Sequence, residues 1–168
     1  LERYEDLIEG YGAIHEVLFR DAHGNLVVSG ANLVIQNGTG SPTLTNGLGN
    51  LLIGGGAPVG GSHNIVLGDG HTVEGHGSIV SGRNNTIEGS GSVVLGSILS
   101  HIAGSGIAIG GFQHGILGRH SIAIGGESNL IEGHETVVIG GFDVDAGDSN
   151  SIHVGETGLT ANTMGPNH

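Results

Sequence analysis

An apolar triplet that closes on glycine returns along most of this chain at a nearly fixed interval. Leu51-Leu52-Ile53-Gly54 is followed by Ile65-Val66-Leu67-Gly68, Ile79-Val80-Ser81-Gly82, Val93-Val94-Leu95-Gly96 and Ile107-Ala108-Ile109-Gly110. Ile122-Ala123-Ile124-Gly125, Val137-Val138-Ile139-Gly140 and Ile152-His153-Val154-Gly155 complete a run of eight. The early units step by 14 residues and those from Ile107 onward by 15. A small or polar lead-in precedes each triplet, at Asn50, Asn64, Ser78, Ser92, Gly106, Ser121, Thr136 and Ser151. A second apolar position follows at Val59, Val73, Ile87, Ile102, Ile116 and Ile131, with a second glycine two residues later at Gly61, Gly75, Gly89, Gly104, Gly118 and Gly133. Val144 and Ala146 share the second apolar role in the last unit. A constant period of this kind is the signature of a stacked repeat. Each period predicts two short strands joined by two glycine turns, the glycines supplying the positive φ that a β-carbon penalises. Coils stacked at about 4.8 Å give a rod roughly 35–40 Å long.

The flanks read differently. Leu1, Tyr4, Ile8 and Tyr11 fall at helical spacing, so residues 1–20 predict a short amphipathic helix or the end of a coiled-coil stalk, with Ala13–Phe19 leaning to strand. Asp21–Asn25 is a turn cluster, and the runs Leu26–Ser29 and Asn32–Gln36 predict two strands. Residues 21–46 then form an adaptor and polar loop, 47–157 the repeat stack and 158–168 a polar tail.

Because the triplets are apolar at consecutive rather than alternate positions, both faces of each strand must be covered. One face fills the coil. The other exceeds what a 14-residue coil can wrap and predicts a homo-oligomer, since soluble monomers avoid a long apolar stripe. The middle residues Leu52, Val66, Val80, Val94, Ala108, Ala123 and Val138 are assigned to that interface, and the outer two of each triplet to the coil's own core. His153 holds the middle position in the last unit and marks where the shared core ends.

Composition narrows the functional classes. Aromatics are 3% of the 168 residues and Trp and Cys are absent, so no disulfide, thiolate metal site or cysteine nucleophile exists. Sixteen acids against four bases give a formal charge of -12. That disfavours nucleic acid and anionic lipid surfaces as partners. No apolar run is long enough to span a membrane as a helix, so no direct membrane insertion is expected.

With the lead-in, triplet and glycine of Asn64–Gly68, Ser92–Gly96, Ser121–Gly125 and Thr136–Gly140, residues 47–157 resemble the YadA-like head repeats of trimeric autotransporter adhesins. The resemblance implies an all-β fold, a left-handed parallel β-roll of about eight 14–15-residue coils. It also implies a homotrimer, joined to a coiled-coil stalk and displayed on the outer membrane of a bacterium. The function so implied is a non-enzymatic cell-surface adhesin or fibre head whose partners are its own copies and a surface ligand, protein or glycan. A structural subunit of an extracellular filament or phage tail fibre, without a receptor of its own, is the alternative. Neck, stalk and anchoring barrel do not follow Gly155 in this sequence.

The polar residues add little chemistry. Of the 11 histidines, His63, His76, His120 and His134 fall in or near turns and form no stacked ligand set. Their protonation would take the formal charge from -12 to -1, which predicts acid-promoted self-association below about pH 6. Asp143, Asp145 and Asp148 alternate near glycine as calcium loops do, but Gly147 and Asp148 break the EF-hand order and Val154 stands where its closing Glu belongs. A polar surface turn is the simpler reading there. No catalytic set emerges and no cofactor is expected. Threonines form no column of the kind that binds ice.

Overall fold

The computed structural model describes residues 17–55, 59–155 and the short strand Thr160–Ala161. The chain divides between residues 34 and 35 into two units. In the first, Leu18–Arg20 and Leu26–Val28 form an antiparallel hairpin. Its turn is tied by Asp21, whose Oδ1 accepts from the Asn25 and His23 amides at 2.8 and 2.9 Å while Oδ2 accepts from Asn25 Nδ2 at 2.8 Å. Those bonds favour the charged form and hold the Asp21 carboxyl below its ordinary range, the Asn25 side chain contributing most. The helix expected over residues 1–20 lies mostly outside the described residues, and Leu18–Arg20 is a strand, overlapping the end of the Ala13–Phe19 segment that leaned to strand. Asn32–Gln36 forms no strand among the described residues, contrary to expectation, although Leu33 and Val34 are exposed and extended chain would suit them.

The second unit is a parallel β-solenoid of about seven turns. The triplets build a wide sheet from Leu51–Gly54, Ile65–Asp69, Ile79–Arg83, Val93–Ile98, Gly106–Ile109, Ser121–Ile124, Val137–Ile139 and Ile152–Val154, each strand parallel to the last. Thr160–Ala161 adds an antiparallel strand to Ile152–Val154 and closes that edge. Opposite lies a narrow sheet of two-residue strands: Thr72–Val73, Thr86–Ile87, His101–Ile102, Gly115–Ile116, Leu130–Ile131 and Asp145–Ala146. Register is unbroken down both sheets save at one point. Val80 pairs with Val94, but Gly82 pairs with Ser97, so Gly96 is an inserted residue with a φ of 70°. That bulge lengthens every later coil at the same place, where Gly110, Gly125 and Gly140 repeat it. Ile107 still follows Val93 by 14 residues because the next turn, Gly104-Ser105-Gly106, is one residue short.

The faces of the triplet are the reverse of the expectation. Val66, Val80, Val94, Ala108, Ala123 and Val138 are buried in their own chain's core, against Val73, Ile87, Ile102, Ile116, Ile131 and Ala146 of the narrow sheet. They are therefore no interface; only Leu52, in the first described coil with nothing stacked before it, is 55% exposed. The outer residues of each triplet point outward, Ile65, Ile109 and Ile124 being 38–40% exposed. The reason lies in the lead-ins. Asn64 is two residues before Val66 and so shares its face. It turns inward because the interior satisfies it: its Nδ2 donates to Gly75 O at 3.0 Å and its Oδ1 accepts from the Ser78 amide at 2.8 Å. Ser121 repeats this with Gly133 O at 2.8 Å and the Thr136 amide at 3.2 Å. A buried polar ladder thus runs down one corner from coil to coil, interrupted at Gly106, which has no side chain.

The two glycine columns differ in cause. Gly68 and Gly82 adopt φ near 117°, as expected of turns, and a β-carbon there would also overlap the next coil's backbone. The second column has no positive φ. A β-carbon at Gly61, Gly75, Gly89, Gly118 or Gly133 would overlap the backbone carbonyl of the coil stacked on it, so close approach rather than turn geometry requires glycine there. The left-handed corner residues are frequently not glycine: His63, Asn84, Leu99, Gln113, His120, Ser128, Glu135, Asp143 and Asn150 all have φ between 54 and 59°.

Candidate interaction surface

The outer face of the wide sheet is two parallel columns of aliphatic side chains. One runs Leu51, Ile65, Ile79, Val93, Ile107, Ile122, Val137, Ile152; the other runs Ile53, Leu67, Ser81, Leu95, Ile109, Ile124, Ile139, Val154. Ser81 alone breaks them, and it is bonded to the bulge, accepting from the Gly96 amide at 3.0 Å. Every member is partly or largely exposed. An aliphatic surface of this length is more than single exposed residues explain.

The corner beyond the second column carries a ridge of stacked residues, Asp69, Arg83, Ile98, Phe112, Glu127 and Phe142. The solenoid's two aromatic rings both stand on it, two coils apart; Phe142 is 58% exposed and Phe112 half-buried. The outer face of the narrow sheet is mostly polar, with Thr72, Glu74, Thr86, Glu88, His101, Glu132 and Asp145, but it also carries Leu117, 40% exposed. His101 Nε2 lies 3.1 Å from Glu88 Oε1, an exposed pair that contributes little.

The aspartates singled out for calcium do not converge. Asp143 is a left-handed corner residue, Asp145 lies in a narrow-sheet strand opposite Leu130, and Asp148 offers its backbone carbonyl to Thr136 Oγ1 at 2.7 Å. All three are exposed, and among the described residues no three His, Asp or Glu side chains gather as a metal site. The histidines are not uniformly solvated turn residues. His71, His114 and His153 are buried, the first two as members of a second corner ladder with Asn85, Ser100 and Asn129. His71 Nε2 donates to Leu67 O at 3.1 Å, and its Nδ1 accepts from the Asn85 amide at 3.3 Å. The spacing His71, Asn85, Ser100, Asn129, two residues before each second apolar position, was the available signal for that ladder. Among the described residues no helix is long and apolar enough to cross a membrane. The chain matches no protein-family model, no curated protein and no solved structure, and its function must be read from this surface.

Proposed function

We propose that the chain is the non-enzymatic head of a bacterial surface or extracellular fibre, a rigid homotrimer that attaches to a surface ligand. The observation that carries this reading is the double aliphatic column on the wide sheet. Covering a side chain that is about 40% exposed stabilises by roughly 1 kcal/mol, so burying both columns is worth on the order of 10 kcal/mol per chain. That is comparable to the rigid-body cost of association, about 4–15 kcal/mol. Three flat faces turned toward one axis bury the columns and leave the acidic narrow sheets and the corners outward. Attachment through turn side chains repeated three times would gain from avidity. Sedimentation or light scattering across the micromolar range is the test. A discrete particle of three times 16.8 kDa is expected. A stable monomer would remove the basis of the reading, and growth into longer particles with concentration would favour a filament subunit instead.

A further inference from the structure

A heterologous ring brings the two edges of the wide sheet together. If wide faces line a three-fold axis parallel to the solenoid, the edge carrying the lead-ins in one copy meets the edge carrying the aromatic ridge in the next. A closed cyclic rotation has no translation along its axis, so touching residues lie at the same height. The lead-in edge is regular except at one coil. Between the second glycine and the lead-in, other coils place two residues, as in Arg119-His120 and Ser90-Gly91, whereas Gly104-Ser105-Gly106 places one. The missing residue leaves a notch of about 240 Å³ bounded by Gly91, Ser105, Gly106, Ile107, His120 and Ile122. Its wall is mostly apolar. Phe112 follows Ile107 in the same coil, on the opposite edge, and therefore stands at the height of this notch. A cavity of about 150 Å³ accommodates benzene, so a phenyl ring fits with room to spare.

We propose that Phe112 of each copy seats in the Ser105–Gly106 notch of the next copy around the ring. This rests on the trimer reading and adds a contact that favours the closed ring over an open, slipped stack. Columns that repeat at each coil would also permit an open stack slipped by one coil per copy, about 4.8 Å, whereas one short turn and one facing ring match only at zero slip, which is the closed ring. Phe142, two coils away, meets regular turns at its own height and cannot substitute.

The chain has no cysteine, so paired substitutions report the contact directly. Phe112→Cys combined with Ser105→Cys, and in a second variant with His120→Cys, is oxidised in the full 168-residue chain and run on a non-reducing gel beside its sedimentation mass. Within one chain the two positions lie on opposite edges of the sheet, too far apart to bridge. Covalent trimers are expected from the Phe112→Cys pairs and not from Phe142→Cys with Ser105→Cys, which is displaced by about 10 Å along the axis. A trimer by mass in which both Phe112→Cys pairs cross-link no better than the Phe142→Cys pair overturns the seating and leaves the trimer standing. A monomer by mass overturns both.

Discussion

His114 occupies a position where its neighbours are paired and it is not. In the same ladder Asn85 donates from Nδ2 to Ser97 O at 2.8 Å and accepts at Oδ1 from the Ser100 amide at 2.9 Å. Asn129 repeats the arrangement with Gly140 O at 3.0 Å and the Val144 amide at 3.1 Å. Both ring nitrogens of His114 are buried without a partner, and desolvation lowers its pKa from the ordinary 6.5. The unfolded chain then binds the extra proton first, so this residue's contribution is whole above about pH 6.5 and is lost as pH falls toward the lower folded value. His114→Asn restores the ladder's own pattern. Thermal melts from pH 8 to 5 should show the variant more stable at pH 7 by about 1–2 kcal/mol, with a shallower acid limb; an unchanged acid limb would mean that other groups govern it. A smaller effect is expected at Gln113, whose φ of 56° suits Asn better than Gln. Gln113→Asn should raise the urea midpoint by the equivalent of about 0.5–1 kcal/mol, and no rise would show that the corner carries no strain.

At the scale of strands and turns, glycine has two roles that substitution separates. Gly118 lacks a positive φ, yet a β-carbon there would run into Gly133 O of the adjacent coil. Gly147, also without a positive φ, has nothing within 4 Å of that position. Gly118→Ala should therefore destabilise by on the order of 2–4 kcal/mol, whereas Gly147→Ala should be neutral or stabilise by up to about 1 kcal/mol. Equal melting temperatures for the two variants would contradict the close-approach account. The contrast also shows what was legible beforehand. The period, the two strands per coil and the inward second apolar residues follow from recurrence alone, because Val73, Ile87, Ile102, Ile116 and Ile131 have no other place to go. The assignment of triplet faces was not legible, since Ile65-Val66-Leu67 is apolar throughout and parity needs a reference residue. Asn64 and Ser121 are that reference, but their polarity points outward until the carbonyls of the neighbouring glycine turns are known to receive them. One clue was present: Ala108 and Ala123 are small where they face Ile116 and Ile131 across a thin interior, as an inner column requires and an interface does not. The 14-to-15 change looked like one event at Ile107 and is two, a bulge at Gly96 offset by the short turn at Gly106.

For the solenoid as a whole, the decisive question is which column belongs to the chain and which to its partners. Adjacent residues give opposite answers: Ala123 is fully buried and Ile124 is 38% exposed, one bond along the same strand. A carboxylate at Ala123 would be placed in a dry core among Ile116 and Ile131, with no partner, and removing such a charge from water costs more than the fold can offset. A carboxylate at Ile124 stays in water in a lone chain. In a ring of three it meets two copies of itself across an apolar axis, where like charges and desolvation oppose assembly. Ile109→Glu with Ile124→Glu should accordingly give a monomer by sedimentation whose far-ultraviolet circular dichroism is that of the parent strands. Ala123→Glu should lose that spectrum at any concentration. The added acids also make the chain more negative than -12, which further disfavours association at low salt and makes dissociation of the double variant ionic-strength dependent. A double variant that stays trimeric in low salt would move the interface off the wide sheet, while one that unfolds would show the outer columns to be part of the chain's own core.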